Sequence, residues 1–248
     1  MRWGALAVQN HRGVLVPRIL WAVLDALALG WTIGFALLRE PGEGAWGGLI
    51  GVLIVSAAGL VDDLAPIGPR GLRGHAGSLL EGHITTGILK VFVAIGSAAV
   101  VVALQGQRPA WVMTSGIVLV AGCTNVWNGL DVVPGRSLKA FLPAILVFLL
   151  VGDLEAFPAA LGMFVAAIAV LPLDLRERAM LGDAGSNPLG FAAGLGLYLT
   201  LGDAWVAVAA GTAVALNVLA ETVTLSRIVE RAPPLRWLDR LGRVSTED

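Results

Sequence analysis

"GLVDDLAPIGPRGLRGH", Gly59 to His75, completes an apolar run that starts at Ile50 and decides how the chain is read. Two adjacent acids, Asp62 and Asp63, close that run. Prolines, glycines and two arginines follow, with no further acid. Carboxylates that end a long apolar helix sit at the edge of a membrane, where a charge needs either water or a partner.

Composition supports the membrane. Of 248 residues, 56% are hydrophobic and only 14% charged, with a mean hydropathy of +0.80, whereas a soluble domain carries about a quarter charged residues. Eight apolar segments, 18–38, 45–63, 83–104, 110–127, 139–152, 155–173, 187–201 and 203–223, are rich in Ala and Leu. Hydrocarbon about 30 Å thick offers the backbone no hydrogen bonds, so such segments cross it as helices. The fifth and seventh are short for full spans. The expected fold is an all-α, polytopic integral membrane bundle of about eight transmembrane helices. A single membrane domain covers 1–248, and its basic tail occupies 226–248.

Basic residues sort to the cytoplasmic side of membrane proteins. With both termini cytoplasmic, the inner segments collect all of the 17 Lys and Arg except Arg39, Lys90 and Arg108. Trp46, Trp111 and Trp205 then open spans at their outer ends, as an aromatic belt requires. The expectation is a multi-pass protein of the cell membrane, a bacterial inner or plasma membrane. The net charge of −1 identifies no partner, since the asymmetry lies across the membrane, and no nucleic-acid partner is expected. Cys123 is the one cysteine, so disulfides and cysteine-metal clusters drop out. Met1 to Val16 has no apolar core of its own, so no cleavable signal is expected.

Three inner loops combine acids with glycines: "GLVDDLAPIGPRGLRGH", "CTNVWNGLDVVPGRSLK" and "RAMLGDAGSNPLGF". Asp62 and Asp63 lie at the negative end of a helix and repel one another, so they call for a metal ion or a lysine; the bland alternative is a hydrated helix end. Lys90 lies seven residues beyond His83, about ten ångströms into a helix by the usual rise. Its ammonium needs an anion there unless the side chain snorkels to the interface. Around Asp183, Asn187 reads as an N-cap and Pro188 as a first helical residue. Glycines at a helix N-terminus offer N–H groups to phosphate, and an acid beside them can hold the accompanying Mg²⁺. Asp131 shares its loop with Arg136 and Lys139, although a surface turn explains Pro134 and Gly135 equally well. Asp25, a lone acid in the first span, reads as hydrogen-bonded to a neighbouring helix rather than catalytic.

With these motifs in place, the chain resembles the polyprenyl-phosphate N-acetylhexosamine-1-phosphate transferase family, glycosyltransferase family 4, which includes the phospho-N-acetylmuramoyl-pentapeptide transferases. "GLVDDL" is similar to the family's Asp-Asp motif, "TGILK" to the segment with its membrane lysine, "NVWNGLD" to its Asn-x-x-Asp motif and "LGDAGSNPLG" to its Gly-Asp-x-Gly-Ser motif. "NHRGVLVPR" is similar to the loop after the family's first helix. The motifs occur in family order over most of the chain.

The resemblance implies Mg²⁺-dependent transfer of a sugar-1-phosphate from a UDP-sugar to polyprenyl phosphate, with release of UMP, in cell-envelope polysaccharide synthesis. It implies catalytic roles for Asp62, Asp63, Lys90 and Asp131, substrate contacts from Asn125, Asn128, Arg136, Gly185 and Ser186, and a metal ligand in Asp183. Homodimerisation is left open. The chain also departs from the family. The second aspartate motif continues Asp131-Val132-Val133-Pro134-Gly135 without a further acid, and the tail carries arginines where members carry a histidine cluster. A membrane aspartyl protease would need a glycine two residues ahead of Gly182, where Met180 stands. A CDP-alcohol phosphatidyltransferase would need spaced aspartates along one helix. A transporter or a non-catalytic relative on the same fold remains the alternative.

Overall fold

The computed structural model describes residues 6–10, 12–67, 77–78, 80–83, 85–222 and 225–244. It is 75% helical. A short antiparallel hairpin, β1 (Ala7–Gln9) and β2 (Leu15–Pro17), is the only sheet among the described residues. Eight longer helices follow: α1 (Leu20–Leu38), α2 (Glu43–Leu64), α3 (Thr86–Leu104), α4 (Ala110–Leu130), α5 (Arg136–Val151), α6 (Ala159–Leu175), α7 (Asp183–Thr200) and α8 (Asp203–Thr222). Two short ones, α9 (Leu225–Arg231) and α10 (Pro233–Arg240), close the chain. Each longer helix falls on one of the eight apolar segments. Five are long and apolar enough to cross a membrane: α1, Gly44–Leu64 of α2, α3, α4 and Asp203–Ala220 of α8. The predicted arginines Arg2, Arg70 and Arg73 lie outside the described residues.

Alternating helix directions sort the connections into two ends. At one end Gln105 donates to the carbonyls of Gly44 (3.2 Å) and Ala156 (3.3 Å). There Arg108 caps α7, donating to the carbonyls of Tyr198 (2.8 Å) and Leu201 (3.0 Å) and pairing with Asp203 at 2.5 Å. The other end holds Asp62, Asp63, Asp131 and Asp183. The β hairpin and the C-terminal segment meet there too, where Arg12 donates to the Val244 carbonyl at 3.0 Å.

Helix α7 is the hub. Every residue from Ala184 to Gly196 is buried, and α4, α2 and α5 pack around it. Its small residues permit close approach: a Cβ on Gly194 would lie 2.8 Å from Cα of Val120 in α4, and one on Gly59 of α2 would lie 2.7 Å from the Ala184 nitrogen. Backbone cannot yield as a side-chain tip can, so Gly194→Ala is expected to destabilise the bundle by about 1–3 kcal/mol. Gly211→Ala meets nothing within 4 Å and should not lower stability, raising it by at most about 1 kcal/mol. Thermal unfolding of both variants in detergent checks the contrast.

Four predicted helix starts move by three residues or more, among them that of α6, which begins at Ala159 rather than 155. Helix α7 begins at Asp183, four residues before the predicted Asn187, so Asn187 is not its N-cap and Pro188 lies inside it. A proline within a helix leaves the carbonyl four residues back without its usual donor. Ser56 of α2 supplies one instead, its hydroxyl 2.9 Å from the Ala184 carbonyl. Helix α5 begins at Arg136 rather than 139, because Gly135 turns with φ 75° and its N–H donates to Asp174 at 2.7 Å. Helix α3 begins at Thr86, where the Thr85 hydroxyl accepts from Ile88 N–H at 3.3 Å. Lys90 is therefore its fifth residue, about 6 Å from the helix start rather than ten.

A candidate charged site at one end of the bundle

Three helices deliver charge to one point. Lys90 of α3 places its ammonium 2.5 Å from Asp62 of α2, and the same nitrogen hydrogen-bonds Asp183 at the start of α7. Side chains of consecutive helical residues diverge by about 100°, so Asp63 points elsewhere. Its carboxylate takes Arg18 at 2.5 Å and the Ala184 N–H at 3.0 Å, and Arg18 also donates to the Asp63 carbonyl at 3.1 Å. Asp63 and Asp183 thus share the N-terminus of α7, where the helix dipole favours negative charge. Gly182 closes this corner: its φ is 66°, and a Cβ there would lie 2.5 Å from the Asp63 carboxylate. Only a residue without a Cβ takes that backbone and that space together.

Asp131 lies just beyond α4 and lines a small cavity with Asn10, Pro134, Asp174, Glu177 and Met180. No hydrogen bond or ion pair reaches its carboxyl among the described residues. Burial, followed by the charges of Asp174, Asp183 and Asp63, holds that carboxyl well above the usual carboxylate range. Asn128 donates to Asn187 at 3.0 Å and ties the end of α4 to α7. Asn125 instead faces α8, where it donates to Asn217 at 2.5 Å.

The loop that the sequence offered as one acid–base group is divided in space. Arg136 is buried and directs its guanidinium to Asp239 of α10 (2.8 and 3.1 Å) and to the Ser226 hydroxyl (2.7 Å). Lys139 donates to the Leu238 and Asp239 carbonyls at 3.1 and 2.8 Å. Both cations therefore hold the C-terminal segment, leaving Asp131 without them. Burial opposes the charge on Asp239, yet Arg136, Arg243 and Lys139 prevail and hold its carboxyl below the usual range. In α7, Ser186 is fully buried with no partner for its hydroxyl among the described residues, and a Cβ on Gly185 would press on Leu181 at 2.8 Å. Both are interior positions.

Sequence reasoning used Arg18 for topology and within the "NHRGVLVPR" resemblance and missed it as the partner of Asp63; its place at the start of the first apolar segment was the available signal. Asp239, an acid within an arginine-rich tail, was missed as the anchor of Arg136. Asp25 lies as expected, with the Ser56 hydroxyl 2.7 Å from its carboxyl.

The donor set admits Mg²⁺ in one form. Among the described residues no group of three or more His, Cys, Asp or Glu is placed to hold a metal ion. Two carboxylates, Asp62 and Asp183, converge on one position, which suits a Mg²⁺ that keeps waters and substrate phosphate oxygens as its other ligands. No family model matches the chain, and no curated protein matches it.

Proposed function

We propose that this protein transfers a sugar-1-phosphate, N-acetylhexosamine-1-phosphate in the reading favoured here, from a UDP-sugar to polyprenyl phosphate at the cytoplasmic face of a bacterial cell membrane, releasing UMP. The observation that carries the reading is the Lys90 ammonium gripped by Asp62 and Asp183 at one end of an apolar bundle, beside the N-terminus of α7. Family membership in glycosyltransferase family 4 is part of the same proposal and rests on the motifs and their order. The count of eight spans with both termini cytoplasmic belongs to the proposal too and rests on the apolar segments and the sorting of the basic residues.

In the reaction, an oxygen of the lipid phosphate attacks the β-phosphorus of the UDP-sugar. The bond from that phosphorus to the bridging oxygen breaks, UMP leaves with the electron pair, and the product is a polyprenyl diphospho-sugar. An acceptor that is already an anion needs no covalent enzyme intermediate. Lys90 would turn from its carboxylates to the reacting phosphate and offset its charge. Asp62 would take the proton of a protonated lipid phosphate. Asp63, held by Arg18 and the Ala184 N–H, would keep α2 and α7 in register, and Asp131 would orient the incoming phosphate. Mg²⁺, when bound by Asp183 with Asp62 beside it, would neutralise the diphosphate.

A non-catalytic relative or a transporter is favoured by two observations: Arg136 is taken up by Asp239, and Ser186 is buried. One assay separates the readings. Purified protein given polyprenyl phosphate, a panel of UDP-sugars and Mg²⁺ should release UMP, and release should stop when the metal is chelated or the lipid omitted. No release from any UDP-sugar would leave the non-catalytic reading standing.

Topology has its own check. In intact cells an impermeant thiol reagent should label Gln107→Cys and spare Val132→Cys, with buried Cys123 silent in both. The reverse pattern would place the acids outside.

A further inference from the structure

Helix α10 is mounted by its polar edge. At 100° per residue, Trp237, Leu238 and Leu235 share one broad arc, which Leu241 continues at the C-cap just past the helix, while Arg236, Asp239 and Arg240 occupy the opposite one. A surface helix of a soluble protein turns its apolar arc inward. Here the inward residue is Asp239, 9% exposed and bound by Arg136 and Arg243. The apolar arc faces out: Trp237 is 66% exposed, Leu241 51%, Leu235 47% and Leu238 46%. Among the described residues none covers them.

We infer that α10 lies in the plane of the membrane surface, with this arc in the headgroup–acyl boundary and its arginines on anionic lipid headgroups. Three observations select that occupant. The apolar arc continues a lipid-facing surface, because the chain reaches α10 from α8, whose Trp205, Val208, Val214 and Val218 are exposed along a span-length helix, through α9, which packs on α8 and α4. The charge is complementary to an anionic surface: Arg227, Arg231, Arg236 and Arg240 are all exposed and their guanidinium groups make no ion pair or hydrogen bond among the described residues, with Glu230 the one exposed acid between them. The composition is also that of an interfacial helix, with arginines on one face, Trp and Leu on the other, and a central anchor. A protein partner would account for the bare apolar arc without calling for the unpaired arginines.

The inference does not depend on the transferase reading. Its test uses the full chain in nanodiscs holding one copy each, of phosphatidylcholine alone or with a quarter phosphatidylglycerol. A spin label is placed at Leu238→Cys in a Cys123→Ala background. The label should be reached by oxygen and shielded from an aqueous nickel chelate in the anionic discs, and less shielded in the neutral ones. Changing Arg231, Arg236 and Arg240 together to Gln should lower the embedded-to-free ratio in anionic discs roughly 10²-fold, at about fivefold per arginine. Arg136 and Asp239 stay untouched, so the mount remains. Free access of the chelate in both lipids, with no shielding in either, would overturn the inference and leave the arc for a soluble partner. Shielding that arises only with two copies per disc would assign it to self-association, and equal shielding in neutral and anionic lipid would overturn the role given to the arginines.

Discussion

Lys90→Met should lower the rate of UMP release by about 10³-fold or more, and it should also make the protein depend on Mg²⁺ for stability. Methionine nearly matches the length of lysine, so packing against α2 survives. What is lost is the only cation bonded to Asp62 and Asp183 among the described residues, which the structure brings to one nitrogen from two helices. Removing one partner of a shielded ion pair leaves the others uncompensated, at a cost of about 3–5 kcal/mol for a fully buried pair. Here the three side chains keep about a fifth to a quarter of their exposure, so solvent screens part of that and the loss is smaller. A divalent cation can take the vacated position, so added Mg²⁺ should raise the unfolding midpoint of Lys90→Met far more than that of the parent. Activity within tenfold of the parent would remove Lys90 from the chemistry. A midpoint blind to Mg²⁺ would remove Asp62 and Asp183 as a cation site. The two readouts are separable, since stability can be followed without substrate.

How much of this was legible follows from what each feature depends on. The eight longer helices were readable because the length of an apolar run is a local property, and α8 ends within a residue of its predicted limit. Helix starts were less readable: those of α4 and α8 coincide with the edges of their apolar runs, whereas that of α3 was misplaced although Thr85 caps it. Helix α7 starts early because Ser56, 128 residues away, fills the gap that Pro188 opens in its hydrogen bonding. Nothing near Pro188 announces that. The Asp62–Asp63 pair declared its need for cations, since adjacent carboxylates at a negative helix end cannot stand alone. Which cation each receives depends on how α1, α3 and α7 pack. Lys90 was legible as one of them because an ammonium inside an apolar run has few alternatives; Arg18 had the interface as an alternative and was read so. Arg136 and Lys139 were grouped with Asp131 by proximity in sequence, and the fold-back of α10 takes both away.

Asp183→Asn should abolish turnover, by about 10²–10⁴-fold, with little change in fold or in unfolding midpoint. Asparagine occupies nearly the same space and can still accept a hydrogen bond from Lys90, whose ammonium retains Asp62 at 2.5 Å. The amide is a far poorer ligand for a hard cation than the carboxylate, so the loss should fall on metal binding: a Mn²⁺ titration followed by electron paramagnetic resonance, with UDP-sugar present, should show affinity reduced at least tenfold. Asp63→Asn makes the contrast. Asp63 is 8% exposed and holds both Arg18 and the Ala184 N–H, so neutralising it strands a guanidinium against the bundle and should lower the midpoint more than Asp183→Asn does, while leaving Mn²⁺ affinity near that of the parent. The site therefore divides into an acid that touches the metal and an acid that holds α2 to α7. If Asp183→Asn turns over and binds Mn²⁺ normally while Asp63→Asn does not, that assignment is inverted, and the metal belongs on the Arg18 side of α2.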